Sequence, residues 1–336
     1  MVDYTKIYLL KIDVENLLKS TKLDFKCDLS KSTGEINENI LIAKYHYCKI
    51  RIINLKSQNP HVLFTGSIHK LWNSLKGIKA PNYKINKPYN GYNGNQFNLD
   101  NIIEIKTHLE NLFDCKANQM IFQNIEFGVN VTLDFNPFLY LKGLLYHKNI
   151  PFEFSHSGNN TMAQHKNFIF KIYNKSYQYE MVKNVLRVEL KIIKMIEIKN
   201  LSIKTFSDIN EITLNNARIM LLNRFEEVMH YDYSIEKNKL SNREILAINN
   251  YSNPRYWIED LKPIHRDRHK KKLKEITLSF SKNLHSLIKR EIQKKCVMIN
   301  QLSKSSKCVM INSSSIRINI TLKQVEKTNS THLEYF

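Results

Sequence analysis

Apolar and polar residues alternate or recur along most of this chain in patterns that predict its elements. Residues 4–12, 22–28, 41–54 and 61–65 are rich in β-branched and aromatic side chains and lie between turn formers, so they read as strands. Residues 65–74 read as a strand end running into a turn or short helix. Residues 77–98 are crowded with Asn, Tyr, Gly and Pro and read as a long surface loop, whose four tyrosine and phenylalanine rings among amides and lysines would suit base stacking. Ile102, Ile105, Leu109 and Leu112 recur at helical spacing behind Asp100, a fitting N-cap, which predicts a helix over 100–113. From Ile121 to Leu133 the period is two. Ile121, Ile125, Phe127, Val129, Val131 and Leu133 fall on one face, and Glu126, Gly128, Asn130 and Thr132 on the other. A short helix should follow Pro137, to about His147.

Next come two more alternating runs. Phe168, Phe170 and Ile172 oppose Lys171, Tyr173 and Lys175; Leu186, Val188, Leu190 and Ile192 oppose Arg187, Glu189 and Lys191. They read as a pair of strands joined by a polar turn. From about residue 205 the pattern becomes helical: an apolar stripe over 211–230, a helix capped by Ser241, a break over 253–261, and one basic helix over 262–295. The tail repeats KCVMIN at 295–300 and 307–312, which is too little for a solenoid. The expected fold is α+β, an antiparallel sheet followed by a helical region.

Length and composition narrow the picture. A chain of 336 residues with 42% hydrophobic side chains can bury one large core or two ordinary ones. No run of about 18 apolar residues occurs, so no membrane span and no membrane partner is expected. The N-terminal apolar patch carries Asp3, Asp13 and Glu15 and does not read as a signal peptide. Five scattered cysteines form no CxxC pair, which argues against a disulfide framework or zinc finger and fits a reducing cytoplasm. The net charge of +20 favours a polyanion, most simply nucleic acid, although an AT-rich coding background would also enrich lysine. Location is more telling. Residues 262–295 hold 12 Lys and Arg against three acids, so Arg266, Arg268, Lys270, Lys271 and Lys272 are candidate DNA contacts.

The polar faces of the three alternating strands collect candidate chemistry. Glu126, Glu189 and the amide oxygen of Asn130 could supply part of the oxygen shell of Mg²⁺ or Mn²⁺. Such a metal would polarise a phosphoryl oxygen. A tyrosine hydroxyl titrates near 10 and is a poor nucleophile at neutral pH. The lysines beside Tyr173, Lys175 among them, would favour its phenolate, and Lys171 and Arg187 would meet phosphate. The same alternation also describes a sheet with one solvated, charged face.

Ile172-Tyr173-Asn174-Lys175, followed by Arg187-Val188-Glu189, resembles a signature of rolling-circle replication initiators, the staphylococcal-type plasmid initiators and the gene II proteins of filamentous phages. Residues 124–130 resemble the family's upstream strand, with Asn124 in place of an arginine. GSIHK, with His69 and Lys70, and NPRYW at 253–257 resemble segments of its phage-type members, so the resemblance spans about residues 60–260. It implies a relaxase-like core of about five antiparallel strands with helices on one face. It also implies metal-dependent nicking of origin DNA, single-stranded or in a hairpin. Tyr173 would be the nucleophile, Glu189 and Glu126 metal ligands, and His69 and Lys70 DNA contacts. The products would be a 5′-phosphotyrosine and a 3′-OH for the polymerase of a bacterial host, with a host helicase as a further partner. Residues 1–204 would form the nicking domain, 205–295 a basic helical DNA-binding region, and 296–336 a tail. The His-hydrophobic-His metal pair of the broader superfamily is missing; His69, His156 and His165 are isolated. Some phage initiators use two tyrosines, and Tyr177 and Tyr179 follow Tyr173, Tyr177 within the predicted turn. A non-catalytic DNA-binding regulator and a conjugative mobilisation relaxase remain as alternatives.

Overall fold

The computed structural model describes residues 1–29, 34, 36–84 and 88–301. The elements run β1 (Val2–Leu9), α1 (Val14–Leu18), β2 (Phe25–Leu29), β3 (Ile36–Tyr45), β4 (Cys48–Ile53), β5 (His61–Ser67), α2 (Ile68–Leu75) and α3 (Leu99–Phe113). Then come β6 (Met120–Thr132), α4 (Phe138–Leu141), β7 (Leu144–His147), β8 (Ile150–Pro151), β9 (Glu153–Ser155), β10 (Asn160–Gln164), β11 (Phe168–Asn174), α5 (Lys175–Tyr179) and β12 (Val185–Ile192). The chain continues through α6 (Glu211–Glu226), β13 (Val228–His230), α7 (Asn242–Tyr251), α8 (Pro263–Phe280) and α9 (Leu284–Asn300).

The fold is α+β. Ten antiparallel strands form one sheet in the order β2-β3-β4-β5-β1-β6-β12-β11-β10-β9, twice the number expected. Its middle is the stretch the alternation marked. In register, Val188 faces Val129 and Ile172, and Leu190 faces Phe127 and Phe170. These side chains are fully buried beneath α6 and α9, and Phe113 of α3 meets Phe64 of β5 on the same side. The amphipathic helices therefore cover the apolar face, as period-two strands and period-3.6 helices require.

Several expected elements differ. Residues 41–54 form not one strand but a tight hairpin, β3 to β4, turning at His46 (φ 43°) and Tyr47 (φ 67°). A two-residue turn with both φ positive matches strand twist, and neither residue is the usual Gly or Asn that would betray it. The single alternation over 121–133 is broken by a bulge: Lys6 pairs with Asn124 but Ile7 with Phe122, so Met120 and Phe122 rather than Ile121 enter the core. The helix after Pro137 is one turn long and gives way to β7, which joins β13 and β8 in a small second sheet. α3 is capped by Asn98, reciprocally with Asn101, not by Asp100.

The expected single basic helix is two, α8 and α9, broken where Asn283 adopts a left-handed φ of 49°. They belong to different cores. Leu284, Ile288, Ile292, Cys296 and Ile299 of α9 sit in the core of the ten-stranded sheet, together with α6. Leu273 and Ile276 of α8 join a second cluster with Tyr146, Ile248, Tyr251 and Trp257. Packing thus divides the chain differently from a boundary at 204/205: residues on both sides of it share the main core. The second KCVMIN repeat and the rest of the tail lie outside the described residues.

Candidate active site

The polar face of β6, β11 and β12 is largely covered rather than solvated. Successive side chains of a strand alternate faces, so Glu126, Asn130, Lys171, Tyr173, Arg187 and Glu189 must all project away from the helices. What covers them is the N-terminal end of β1 and the loop after α2. A register shift between Val2 and Thr5 turns Asp3 onto this face. Within the loop, Gly91 to Gly94 are buried, so the expectation of a surface loop fails there. Tyr92 and Phe97 are also buried, which removes two of the four rings proposed for base stacking.

Asp3 (2% exposed), Glu126 (5%), Lys175 (1%), Arg187 (3%) and Glu189 (2%) are almost sealed from water. Burying charge is tolerable only when it is paired and hydrogen-bonded, and here it is. The Arg187 guanidinium donates to Asp3 at 2.6 Å, Glu189 at 2.7 Å and Asn130 Oδ1 at 3.1 Å. It lies flat on Gly128, where a Cβ would come within 2.8 Å of it. The Lys171 ammonium bridges Glu189 at 2.6 Å and Glu126 at 3.1 Å. Asn93 ties the loop in, donating to Asp3 at 2.6 Å and accepting from Lys175 and Tyr179 at 2.7 Å each. Ser67 also donates to Asp3.

The acids respond to this setting in different directions. Burial opposes the charge on Glu189, but Lys171 and Arg187 outweigh it and hold that carboxyl well below its usual range. Arg187 likewise overcomes burial at Asp3. Glu126 is pushed up to about 8 by burial and by the charge of Glu189, so it keeps a proton at neutral pH. Three carboxyls thus face two fixed cations, and the third is protonated.

Tyr173 sits at the floor of an open cleft of about 530 Å³. Its hydroxyl donates to Glu189 at 3.0 Å and lies 3.5 Å from Lys175 Nζ. Burial, then the negative Glu189, raise the phenol well above its ordinary 10. The expectation that neighbouring cations would favour the phenolate is therefore reversed: the side chain rests as a phenol. Lys175 is lowered to about 7 by burial and by Arg187, so a large fraction of it is neutral near pH 7. Nζ donates to Asn93, Gln178 and Tyr173 Oη; the neutral form has one N–H fewer, and its lone pair can then accept the phenol proton.

The three carboxyls are also the group that could hold a hard cation in place of the proton on Glu126. Carboxylate oxygens of Asp3, Glu126 and Glu189 lie within 4.8 Å of one another, against roughly 4.2 Å for opposed ligands of one Mg²⁺. Among the described residues they are the group of acids, histidines and cysteines so arranged. Compared with protein-family models, with curated proteins and with solved structures, the chain matches none of them.

The sequence-derived residues scatter accordingly. Tyr173, Lys175, Glu126, Glu189, Lys171 and Arg187 converge. Asn130 is adjacent, but its oxygen accepts from Arg187 and its amide donates to the Asn93 carbonyl at 3.0 Å; the third member of the carboxylate group is Asp3 instead. Arg187, fully paired and buried, is an internal strut and offers DNA no surface. His69 is buried beside Asp3, stacked on Phe97 and bonded to Asn95 at 2.7 Å; burial lowers it to about 3, so it carries no charge for DNA. Lys70 donates to the Asn90 carbonyl at 2.6 Å and braces the loop. Arg266 donates to the Ile258 carbonyl at 2.8 Å, Lys270 lies 3.8 Å from Asp267, and Arg268 and Lys271 are exposed on α8, with Lys272 half-buried. His156 lines the Tyr173 cleft, whereas the half-buried His165 bonds the buried His147 at 2.8 Å, away from the cleft. Tyr179 is buried on Asn93, while Tyr177 is 57% exposed. Sequence reasoning missed Asp3, Asn93 and Ser67. Only Asp3 left a trace, as the one acid in the first strand.

No described helix is long and apolar enough to cross a membrane.

Proposed function

We propose that this protein is a rolling-circle-type replication initiator, a DNA strand transferase built on a relaxase-like sheet, with Tyr173 as its nucleophile. The observation that carries the reading is the Tyr173 hydroxyl, held at the floor of a cleft 3.0 Å from the Glu189 carboxylate and 3.5 Å from Lys175 Nζ. Glu189 also belongs to the three-carboxylate group.

In this reading Tyr173 Oη attacks phosphorus as the bond from phosphorus to the 3′-oxygen breaks. The strand is left with a 5′-phosphotyrosine and a free 3′-OH. Lys175 accepts the phenol proton, and the departing 3′-oxygen takes one from water. Lys171, at the edge of the cleft, faces the phosphate. Mg²⁺ or Mn²⁺ held by Asp3, Glu126 and Glu189 would supply Lewis-acid polarisation of a phosphoryl oxygen. The free 3′-OH would pass to a host polymerase and helicase in a bacterial cytoplasm.

The test is incubation with supercoiled DNA of the protein's own replicon and Mn²⁺. Nicked circles bearing covalently attached protein are expected. Tyr173→Phe should abolish the adduct and leave DNA binding nearly intact. An adduct mapped by mass spectrometry to Tyr177 or Tyr179, or undiminished nicking by Tyr173→Phe, would overturn the assignment. Binding with no nicking by the unaltered protein would favour a non-catalytic regulator.

A further inference from the structure

The cleft over Tyr173 has a second half that the proposed chemistry leaves unused. We infer that it is a subsite for one unpaired nucleobase next to the scissile phosphate, stacked on Tyr177 and read by Asn160 and Gln178. This inference rests on the strand-transfer reading above and deepens it.

Access is the first argument. Tyr173 is half-buried at the bottom of a cleft of about 530 Å³. A single strand with one flanking nucleotide turned inward reaches the hydroxyl more readily than a paired duplex does. The walls then decide what that nucleotide meets. Tyr177, on α5, lines the cleft with 57% of its surface exposed. An exposed ring at the rim of a cleft offers the flat face on which a base can stack.

The polar walls are complementary. Asn160 lies directly across from Tyr173 in the β10–β11 register, on the same face. Its amide N–H donates to Ser155 Oγ at 2.9 Å, which leaves the carboxamide oxygen as an acceptor. Gln178 does the reverse: its oxygen accepts from Lys175 at 2.9 Å, which leaves the NH₂ as a donor. One acceptor and one donor facing a cleft are what a base edge pairs with. The third wall is the β9–β10 turn. His156 (φ 50°), Ser157 (φ 53°) and Gly158 (φ 81°) are consecutive left-handed residues, two of them non-glycine. Such a turn is held at a cost, and it brings His156 and Asn159 to the cleft.

The experiment measures binding without chemistry. Fluorescence anisotropy with labelled single-stranded dT, dC and dA homopolymers and a hairpin duplex is recorded in EDTA, on the Tyr173→Phe background. Single strands should bind more tightly than the duplex. Tyr177→Ala should weaken single-strand binding about tenfold, as loss of one base stack does. Tyr177→Phe should stay within about twofold, because the ring and not the hydroxyl is used. Asn160→Ala and Gln178→Ala should change the order of preference among dT, dC and dA. Equal binding by Tyr177→Ala and the unaltered protein overturns the subsite but leaves the nicking reading standing. Equal weakening by Tyr177→Phe and Tyr177→Ala also overturns it. Binding of neither strand form by any variant overturns both readings.

Discussion

Lys175 is the residue whose environment bears most on the proposed chemistry. An ordinary lysine stays charged far above neutrality, but burial and Arg187 bring this one to about 7. A base works in its neutral form, which exists above that value. Single-turnover adduct formation should therefore rise with pH through about 7 and level off above it. Lys175→Met should flatten the profile and slow the reaction by about 10²- to 10⁴-fold. An unchanged pH profile in Lys175→Met would assign the proton to another group. Glu189 has a different part, because Arg187, Lys171 and Tyr173 all depend on it. Glu189→Gln leaves the buried Arg187 and the half-buried Lys171 short of a partner, so urea denaturation should show a loss of about 3–5 kcal/mol. Stability equal to that of the unaltered protein would mean that Asp3 and Glu126 suffice to balance them. The alternation exposed Glu189 and Tyr173 as neighbours, since period two places side chains on a face regardless of what covers it. It could not reveal that the face is closed. Charged residues in alternation read as solvated, and the groups that close it come from elsewhere in the chain. Asp3 stands 184 residues before Arg187, and Asn93 lies in a loop without periodicity.

Among the elements, the strands of the centre were readable nearly to the residue, because burial on one side imposes a strict code. Elements at which local geometry departs from the code were not. The β3–β4 turn uses His46 and Tyr47 at positive φ, the bulge in β6 moves Phe122 inward, and Asn283 splits the basic segment. That last break matters for function. Lysine counts describe the surface of α8 and α9 alike, but only α9 carries a continuous stripe of side chains in the main core beneath its charge. Ile292→Ala should cost about 2–5 kcal/mol, as a buried core truncation does, whereas Leu278→Ala on α8, 59% exposed, should stay within about 0.5 kcal/mol. Urea denaturation of both variants checks this, and similar losses at the two sites would put α8 in the same core. Charge reversal at the exposed Arg268 and Lys271 should leave stability alone. It should weaken duplex binding and make it less sensitive to salt, by about one unit of slope for each phosphate no longer neutralised. An unchanged slope would remove α8 from the DNA surface.

For the molecule as a whole, acid should be destabilising. His285 is lowered to about 3 and His230 to about 4 by burial in the aromatic group around Tyr140, and His147, against Phe170, is lowered to about 4 by burial and His165. A histidine held neutral when folded but titrating near 6.5 when unfolded contributes stability that is full above 6.5 and is lost as pH falls toward its folded value. Each contributes up to about 1.4 kcal/mol per pH unit over that window. Urea midpoints at pH 7.5 and 5 should differ accordingly, and His285→Gln should shrink the difference. The sheet order has one more consequence. β1 comes first among the described strands, yet it stands fifth of ten, between β5 and β6, and brings Asp3 to Arg187 on the face of the nucleophile proposed above. The apolar back of β6 is closed by α9, from the far end of the described chain. At about 5–20 residues per second, the ribosome needs roughly 10–30 s to get from the end of β6 to the end of α9. Through that interval the half-made sheet must be shielded by something other than its own last helix. The sheet that carries the proposed cutting centre is thus closed on its apolar side by a helix translated well after Glu189, the last of the centre's side chains.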